Sequence, residues 1–271
     1  MDDLAGDRVH AGRDGAAELV VAAAPGLVTV AIGAARVGEV EVARRCSPAD
    51  VAAVSGGNGR GPRLAVATDD DVLLAREPAV EALEPAGFGP AAAASIDGDR
   101  VVAGSTNGVV EVSLGDGWVT AGELLAAPTA IAGDLVGAAE GVFRVTADEL
   151  RPAGLSDVAD VARAAGVPLA ATADGLFELG NGWLDVLPGE VELVAGASDG
   201  RAHAATADAC YGRGDDRWQP VELPTDDAVR AVAYGDRTYA LTAAGDLLVE
   251  AEAGWRHEPL GLEGVRAAAV L

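Results

Sequence analysis

Apolar and polar positions along the chain alternate with a period of two in short runs, and Gly, Asp and Asn separate the runs. Three stretches show the unit plainly: VVAGSTNGVVEVSLGDGW at 101–118, VPLAATADGLFELGNGW at 167–183 and YALTAAGDLLVEAEAGW at 239–255. Each is a strand-like run, a tight turn, a second run and a further turn that ends in Trp, which is the pattern of a hairpin. No stretch carries a convincing long amphipathic helix. Asp157–Ala165 has some helical spacing, but its place in the repeat makes it an inner strand.

Anchoring each repeat on its first turn gives Gly26, Asp70, Gly108, Gly141, Gly175, Ala209 and Gly245, spaced by 44, 38, 33, 34, 34 and 36 residues. A propeller blade of four short strands occupies about 40–45 residues, and tighter turns shorten it. The first step is stretched by the loop SGGNGRGP at 55–62. The pattern therefore predicts an all-β, seven-bladed β-propeller, with six blades and one irregular segment as the alternative.

Ala228–Ala233 precedes the last hairpin as an inner strand, and the chain ends in a similar run, Gly264–Val270, with no hairpin after it. The first hairpin, around Gly26, lacks a complete inner strand of its own. The C-terminal run is thus expected to complete blade one and remove an open sheet edge. Residues 1–17 read as a polar arm and 18–271 as one propeller domain. Blade one takes 18–46 plus 264–271, and the other blades follow from about 50 to 262.

Composition changes the picture in one respect. The chain has 43 acidic residues against 19 basic ones, a net charge of −24, and it contains no lysine. Such a chain repels itself unless salt screens it. Acidic excess without lysine is the composition of haloarchaeal proteins, whereas a GC-rich genome explains the missing lysine but not the acidity. The absence of lysine excludes a Walker A phosphate loop and any lysine Schiff base. The negative charge opposes nucleic-acid binding.

The apolar run at 19–35 follows an acidic segment and is broken by Pro25–Gly26, so it reads as a buried hairpin and not as a signal peptide. A soluble, monomeric, cytoplasmic protein with no membrane association is expected. Cys46 and Cys210 match no zinc spacing and read as reduced thiols.

Several local patterns invite a chemical reading. The four tryptophans, Trp118, Trp183, Trp218 and Trp255, recur at one place in the blades and read as packing. Asp116–Gly117–Trp118 and Asn181–Gly182–Trp183 lack the upstream Ser and the spacing of a sialidase Asp box. Gly196–Gly200 fits G-x-S-x-G with His203 nearby, but a strand follows where a nucleophile elbow needs a helix. His10 and His257 are remote from it. His203 either faces a channel or is a hydrogen-bonded core residue. Asp69–Asp70–Asp71 lacks the spacing of a calcium loop and reads as a solvated acidic turn. The loop at 56–61 opens no helix and so lacks a phosphate cradle. Arg44–Arg45–Cys46 places two guanidinium groups beside a thiol, an arrangement that lowers a thiol pKa, marks a partner or anion site, or, as is more frequent, is a salt-bridged surface pair. Arg163, Arg230 and Arg266 fall on inner strands, where they either ring a central channel or pair with carboxylates. No catalytic set, metal site or cofactor is expected.

The repeat ATADGLFELGNGW resembles the hairpins of two-component-regulator-type propellers. The whole chain resembles a family of haloarchaeal β-propeller proteins, through GFGPAAA at 87–93, AGVPLAATADGLFELGNGWLDVL at 165–187, GRAHAATADA at 200–209 and the terminal GVRAAAV. The resemblance implies the fold and a halophilic origin and carries over no functional residue. Two functions follow as expectations. The first is a non-catalytic scaffold for a protein partner in a halophilic cytoplasm. The alternative is a small-anion-binding or enzymatic propeller with its site at the mouth of the channel, with Arg163, Arg230, Arg266, His203, Arg44 and Arg45 as candidate contacts.

The acidity makes stability salt-dependent. Lowering KCl from ~3 M to ~0.1 M lengthens the screening distance from below ~3 Å to ~10 Å, and the strand signal in circular dichroism should weaken over that range. A spectrum unchanged across it rules out obligate dependence on salt.

Overall fold

In the computed structural model the described residues are 17–33, 36–54, 61–114, 117–147, 149–214, 217–252 and 254–271. The arm at 1–16, His10, Asp116 and the loop residues 55–60 lie outside them. The strands form seven four-stranded antiparallel sheets, each built from consecutive strands except the first. Blade five shows the plan: Val158–Ala164 is innermost, then come Val167–Thr172, Gly175–Leu179 and Trp183–Pro188. Seven blades are present, not six. Among the described residues no helix is long and apolar enough to cross a membrane.

Burial follows strand order. The second strand of each blade is flanked by sheet on both sides and by neighbouring blades on both faces, so its residues are buried whichever way they point. Leu64–Thr68 and Thr238–Thr242 are buried throughout. The outermost strands face water, as in Val37–Arg44, with no buried residue. Between these limits the core is a set of clusters that each span two neighbouring blades, built from Ala, Val and Leu. Small side chains suit this role because blades converge toward the axis and leave little room there.

Ring closure agrees with the sequence expectation. Ala267–Val270 pairs antiparallel with Ala17–Ala23, from Leu19 opposite Val270 to Ala22 opposite Ala267. Backbone N–H groups of Arg266 and Leu271 donate to Ala22 and Glu18 carbonyls at 2.9 Å and extend the ladder at both ends.

The recurrent turn has a chemical cause. At the end of the second strand, the hydroxyls of Thr68, Thr172 and Thr206 accept backbone N–H groups two and three residues on, and donate to a carbonyl three residues on. Ser105 and Thr242 each accept from the residue four positions on. This side-chain-to-backbone closure is a turn-forming habit of Ser and Thr.

Asp71 corrects the reading of a solvated acidic turn. Asp69 and Asp70 are exposed. The Asp71 carboxylate instead accepts four backbone N–H groups, from Val72, Phe88 and Gly89 at one oxygen and from Gly87 at the other, at 2.7–3.0 Å. It thereby fixes the connection from blade two to blade three, in which Gly87 and Gly89 adopt positive φ of 70° and 92°.

The tryptophans pack blade against blade. Trp118 and Trp183 donate their indole N–H to Ala86 and Ala153 on the preceding blade, at 3.0 and 2.8 Å. Trp218 lies in a cluster with Leu176 and Leu187 of blade five, and Trp255 in one with Val221 and Leu223 of blade six.

Removing residues 267–271 deletes the inner strand of blade one. The loss of its ladder and buried surface should cost about 4 kcal/mol or more, read as a lower denaturant midpoint. An unchanged midpoint would show that closure by the C-terminal strand is dispensable.

Candidate functional site

Each innermost strand starts on the face of the ring that carries the turns between second and third strands, called here the turn face. It runs along the axis to the opposite face. Near its start, four blades carry a register shift, between Pro48 and Asp50, Ala91 and Ala93, Val158 and Asp160, and Val229 and Ala231. A bulge of this kind re-aims the extra residue. Aligned on this shift, the seven blades place Arg266, Ala49, Ala92, Thr129, Ala159, Glu192 and Arg230 at one level of the channel wall. These residues line a cavity of about 430 Å³. A second cavity of about 970 Å³, lined by Ser198, Asp199, Arg201 and Leu271, opens on the opposite face. The two share Val51, Gly196, Val232, Tyr234 and Ala268, so they are the two ends of one channel.

All three inner-strand arginines line the channel, Arg230 and Arg266 at the turn-face start of their strands and Arg163 near the other end of its own, and their electrostatic states differ. Arg163 forms an ion pair with Asp134 of blade four, which also sits 3.4 Å from Arg144. Arg230 donates to Glu192 at 2.8 Å. Arg266 has no carboxylate partner among the described residues, and its guanidinium makes a single 3.4 Å bond to the Pro48 carbonyl.

Two carboxyl groups that sequence reasoning passed over sit one step further in. Asp50 accepts the Val51 N–H at 2.8 Å with one oxygen and the Ala94 N–H of blade three at 3.1 Å with the other. Asp160 repeats the arrangement with Val161 at 2.8 Å and Val194 of blade six at 2.9 Å. Each staples its blade to the next. Desolvation among the inner strands pushes Asp50 up to about 6 and Asp160 up to about 7, against the pull of their N–H donors, and the charge of Asp50 raises Asp160 further. Both residues, on blades two and five, line the turn-face cavity. The pattern Ala-Asp-Val at 49–51 and again at 159–161 was the available sequence clue.

His203 lies on the second strand of blade six and is buried, 7% exposed. Its Nδ1 is 3.0 Å from the Tyr234 hydroxyl, which in turn lies 3.2 Å from the Ala195 carbonyl, and Trp255 meets the imidazole edge-on. Burial lowers the imidazole pKa and raises that of the phenol. This is a hydrogen-bonded core histidine, and Tyr234 is the residue of the pair that reaches the channel. The Gly196–Gly200 motif is a turn between two strands, with no helix to expose Ser198.

Arg44, Arg45 and Cys46 sit at the rim, far from the axis, where blade one passes to blade two. Arg44 donates to the Leu83 carbonyl at 2.7 Å, and Arg45 is exposed. Of the readings open for this cluster, the lowered thiol is not found: burial pushes Cys46 up despite Arg44. Cys46 and Cys210 are both free thiols, and burial takes Cys210 up to about 11. Among the described residues no group of three or more His, Cys, Asp or Glu side chains is arranged to hold a metal.

Charge divides the two faces. The turns and inter-blade connections of the turn face carry Asp69–Asp71, Glu140, Asp157, Asp174, Glu190, Asp208, Glu222, Asp226, Asp227, Asp246 and Glu263, with Arg45 and Arg266 as their basic residues. The turns of the opposite face mix their acids with Arg36, Arg63, Arg76, Arg201, Arg217 and Arg237. Leu125, 91% exposed, projects from the turn face between blades three and four.

The raised carboxyls give stability a sign with pH. Their folded-state pKa values exceed the unfolded value near ~4, so the fold holds their protons longer than the unfolded chain does. Stability is therefore withdrawn as pH rises from ~4 through about 6 and 7 and levels off above that. Because channel water screens both groups, the loss is on the order of a few kcal/mol for the pair. The Asp50→Asn, Asp160→Asn double variant should show a flatter melting temperature between about pH 5 and about pH 8 than the wild type. Turning an amide nitrogen toward a backbone N–H costs the same at every pH and leaves the slope unaffected. Parallel curves would show that these groups do not titrate there.

Among curated proteins none matches the chain. Solved structures with the same fold include the computationally designed Ika8 protein, at 16% identity and a TM-score of 0.60, covering 95% of this chain and 91% of that one. A chain of the mitotic checkpoint complex matches at 11% identity and a TM-score of 0.62, with 76% and 79% covered. YCF48 from Cyanidioschyzon merolae matches at 13% identity and a TM-score of 0.58, with 80% and 86% covered. At these identities the likeness is one of fold alone. Residues 3–271 match the family model described as Beta-prop_HVO_0234:-like, beta propeller. With nearly the whole chain matched, and seven blades closed by the C-terminal strand, the chain belongs to the HVO_0234-like β-propeller family.

Proposed function

We propose that the protein is a non-catalytic scaffold in the cytoplasm of a salt-adapted cell, and that its turn face docks a protein partner with a basic surface. The observation that carries this reading is the division of charge between the two faces. A rigid ring presents seven turns and their connections in one plane, and such loops are where proteins carry specificity. A concentrated negative field selects a cationic partner and repels acidic ones. In molar salt this field reaches only a few ångströms. Specificity then rests on contacts at short range, and exposed Leu125 supplies an apolar one beside the Glu140 carboxylate, which accepts its N–H at 2.6 Å. The same charge disfavours nucleic acid, whose phosphates need cationic contacts.

Crosslinking and mass spectrometry on the protein purified from its host in molar potassium chloride test this reading. Crosslinks should fall on the turn-face connections. Neutralising Glu190, Asp208, Glu222 and Asp226 together should weaken the identified partner about tenfold or more. The same treatment of Glu77, Glu81, Asp236 and Glu252 on the opposite face should leave its affinity unchanged. Crosslinks confined to the opposite face, or equal effects of the two sets, would overturn the assignment.

A further inference from the structure

The channel holds a feature that the docking reading leaves unused. The chain has 43 carboxylate side chains and only 19 basic ones, so carboxylate partners are abundant for every arginine. Arg163 and Arg230 have taken them. Arg266, on the wall of the turn-face cavity, has not, and among the described residues its guanidinium is tied only by the long bond to Pro48. Its remaining N–H donors are available in the planar fork that suits a carboxylate or a phosphate.

The surroundings leave room for such a group. Glu192, Arg230 and Arg266 stand on three consecutive blades at the same level of the wall. The other four blades carry Ala49, Ala92, Thr129 and Ala159 there, and the Thr129 hydroxyl is turned away to the Val158 carbonyl at 3.0 Å. Short side chains thus face the arginines across a cavity of about 430 Å³, within the size range of small-molecule sites. We propose that this end of the channel is a binding site for a small organic oxyanion, a carboxylate or a phosphate ester, held by Arg266 with Arg230 as the second cationic contact.

The floor of the site sets its response to pH. Asp50 and Asp160 lie beneath the arginines. The other charged groups facing the cavity are Glu192, paired with Arg230, and Arg163, paired with Asp134, while Tyr234 is the neutral polar group deeper in. When the two carboxyls are neutral, the wall carries excess positive charge and draws an incoming anion. When both ionise they repel it. Affinity therefore falls as pH rises through about 6 and 7. This is a local exception in a protein of net charge −24.

Calorimetric titration of the full chain with succinate and, separately, with inorganic phosphate at constant ionic strength tests the site. At least one probe should bind saturably, one per chain, and more tightly at about pH 6 than at about pH 8. The probe that saturates distinguishes a carboxylate site from a phosphate site. Arg266→Gln should lose about tenfold or more of that affinity, Arg266→Lys should recover part of it, and the Asp50→Asn, Asp160→Asn variant should lose most of the pH dependence. Phenylglyoxal labelling of the wild type gives a readout that needs no variant to fold: the saturating probe should protect Arg266 and leave exposed Arg45 reactive. Absence of saturable binding by both probes, wild-type affinity in Arg266→Gln, or unprotected Arg266 would each overturn the proposal.

Discussion

Every blade of this ring depends on having a neighbour on each side. A single four-stranded sheet leaves both of its faces apolar, and only contact with two other sheets buries them. The requirement is cyclic, so it is met for all seven blades or fails for all. The pairing of Ala267–Val270 with Ala17–Ala23 is where the cycle is closed. The core clusters reflect this dependence, since each draws its members from two adjacent blades, as Leu19 and Val28 of blade one do with Leu241 and Leu247 of blade seven. Asp50, Asp160, Trp118 and Trp183 add directional bonds across the same seams.

The parts of the fold that could be read in the sequence are those fixed within a few residues. The turns after Thr68, Thr172 and Thr206 are closed by hydrogen bonds spanning two or three positions, so their pattern repeats visibly. The period-two runs are equally local, and the unpaired terminal run pointed to closure. What stayed hidden joins residues far apart in the chain. Asp50 reaches Ala94, and Asp71 reaches Phe88, contacts that depend on how one blade meets the next. Arg163 and Asp134 likewise come from different blades, so the inner-strand position of the arginine and the option of pairing were readable, but which carboxylate neutralises it was not. Arg44 and Cys46 show the limit of adjacency. Neighbouring positions left a perturbed thiol and an ordinary surface pair both open, and burial decided against the first.

Acidity and burial act on different carboxylates. Most of those on the turn face stand in water, where their mutual repulsion is weak and easily screened. Asp50 and Asp160 stand among inner strands, where backbone N–H donors hold their position while desolvation resists their charge. The channel is thus governed by short-range solvation, and the outer surface by ionic strength. The two respond to different changes in the medium, one to protons and the other to salt.

The closing pair of strands also sets how the ring meets mechanical load. Ala17 and Leu271 both lie at the opposite-face end of an antiparallel ladder, with Leu19 directly across from Val270. A force pulling these two points apart acts along the hydrogen bonds, perpendicular to the strands. It loads the pairs one after another, as a zipper does, and does not shear all of them together. Blade one is therefore the yielding element of the ring under tension, and once it opens, blades two and seven each lose the neighbour that covers one face.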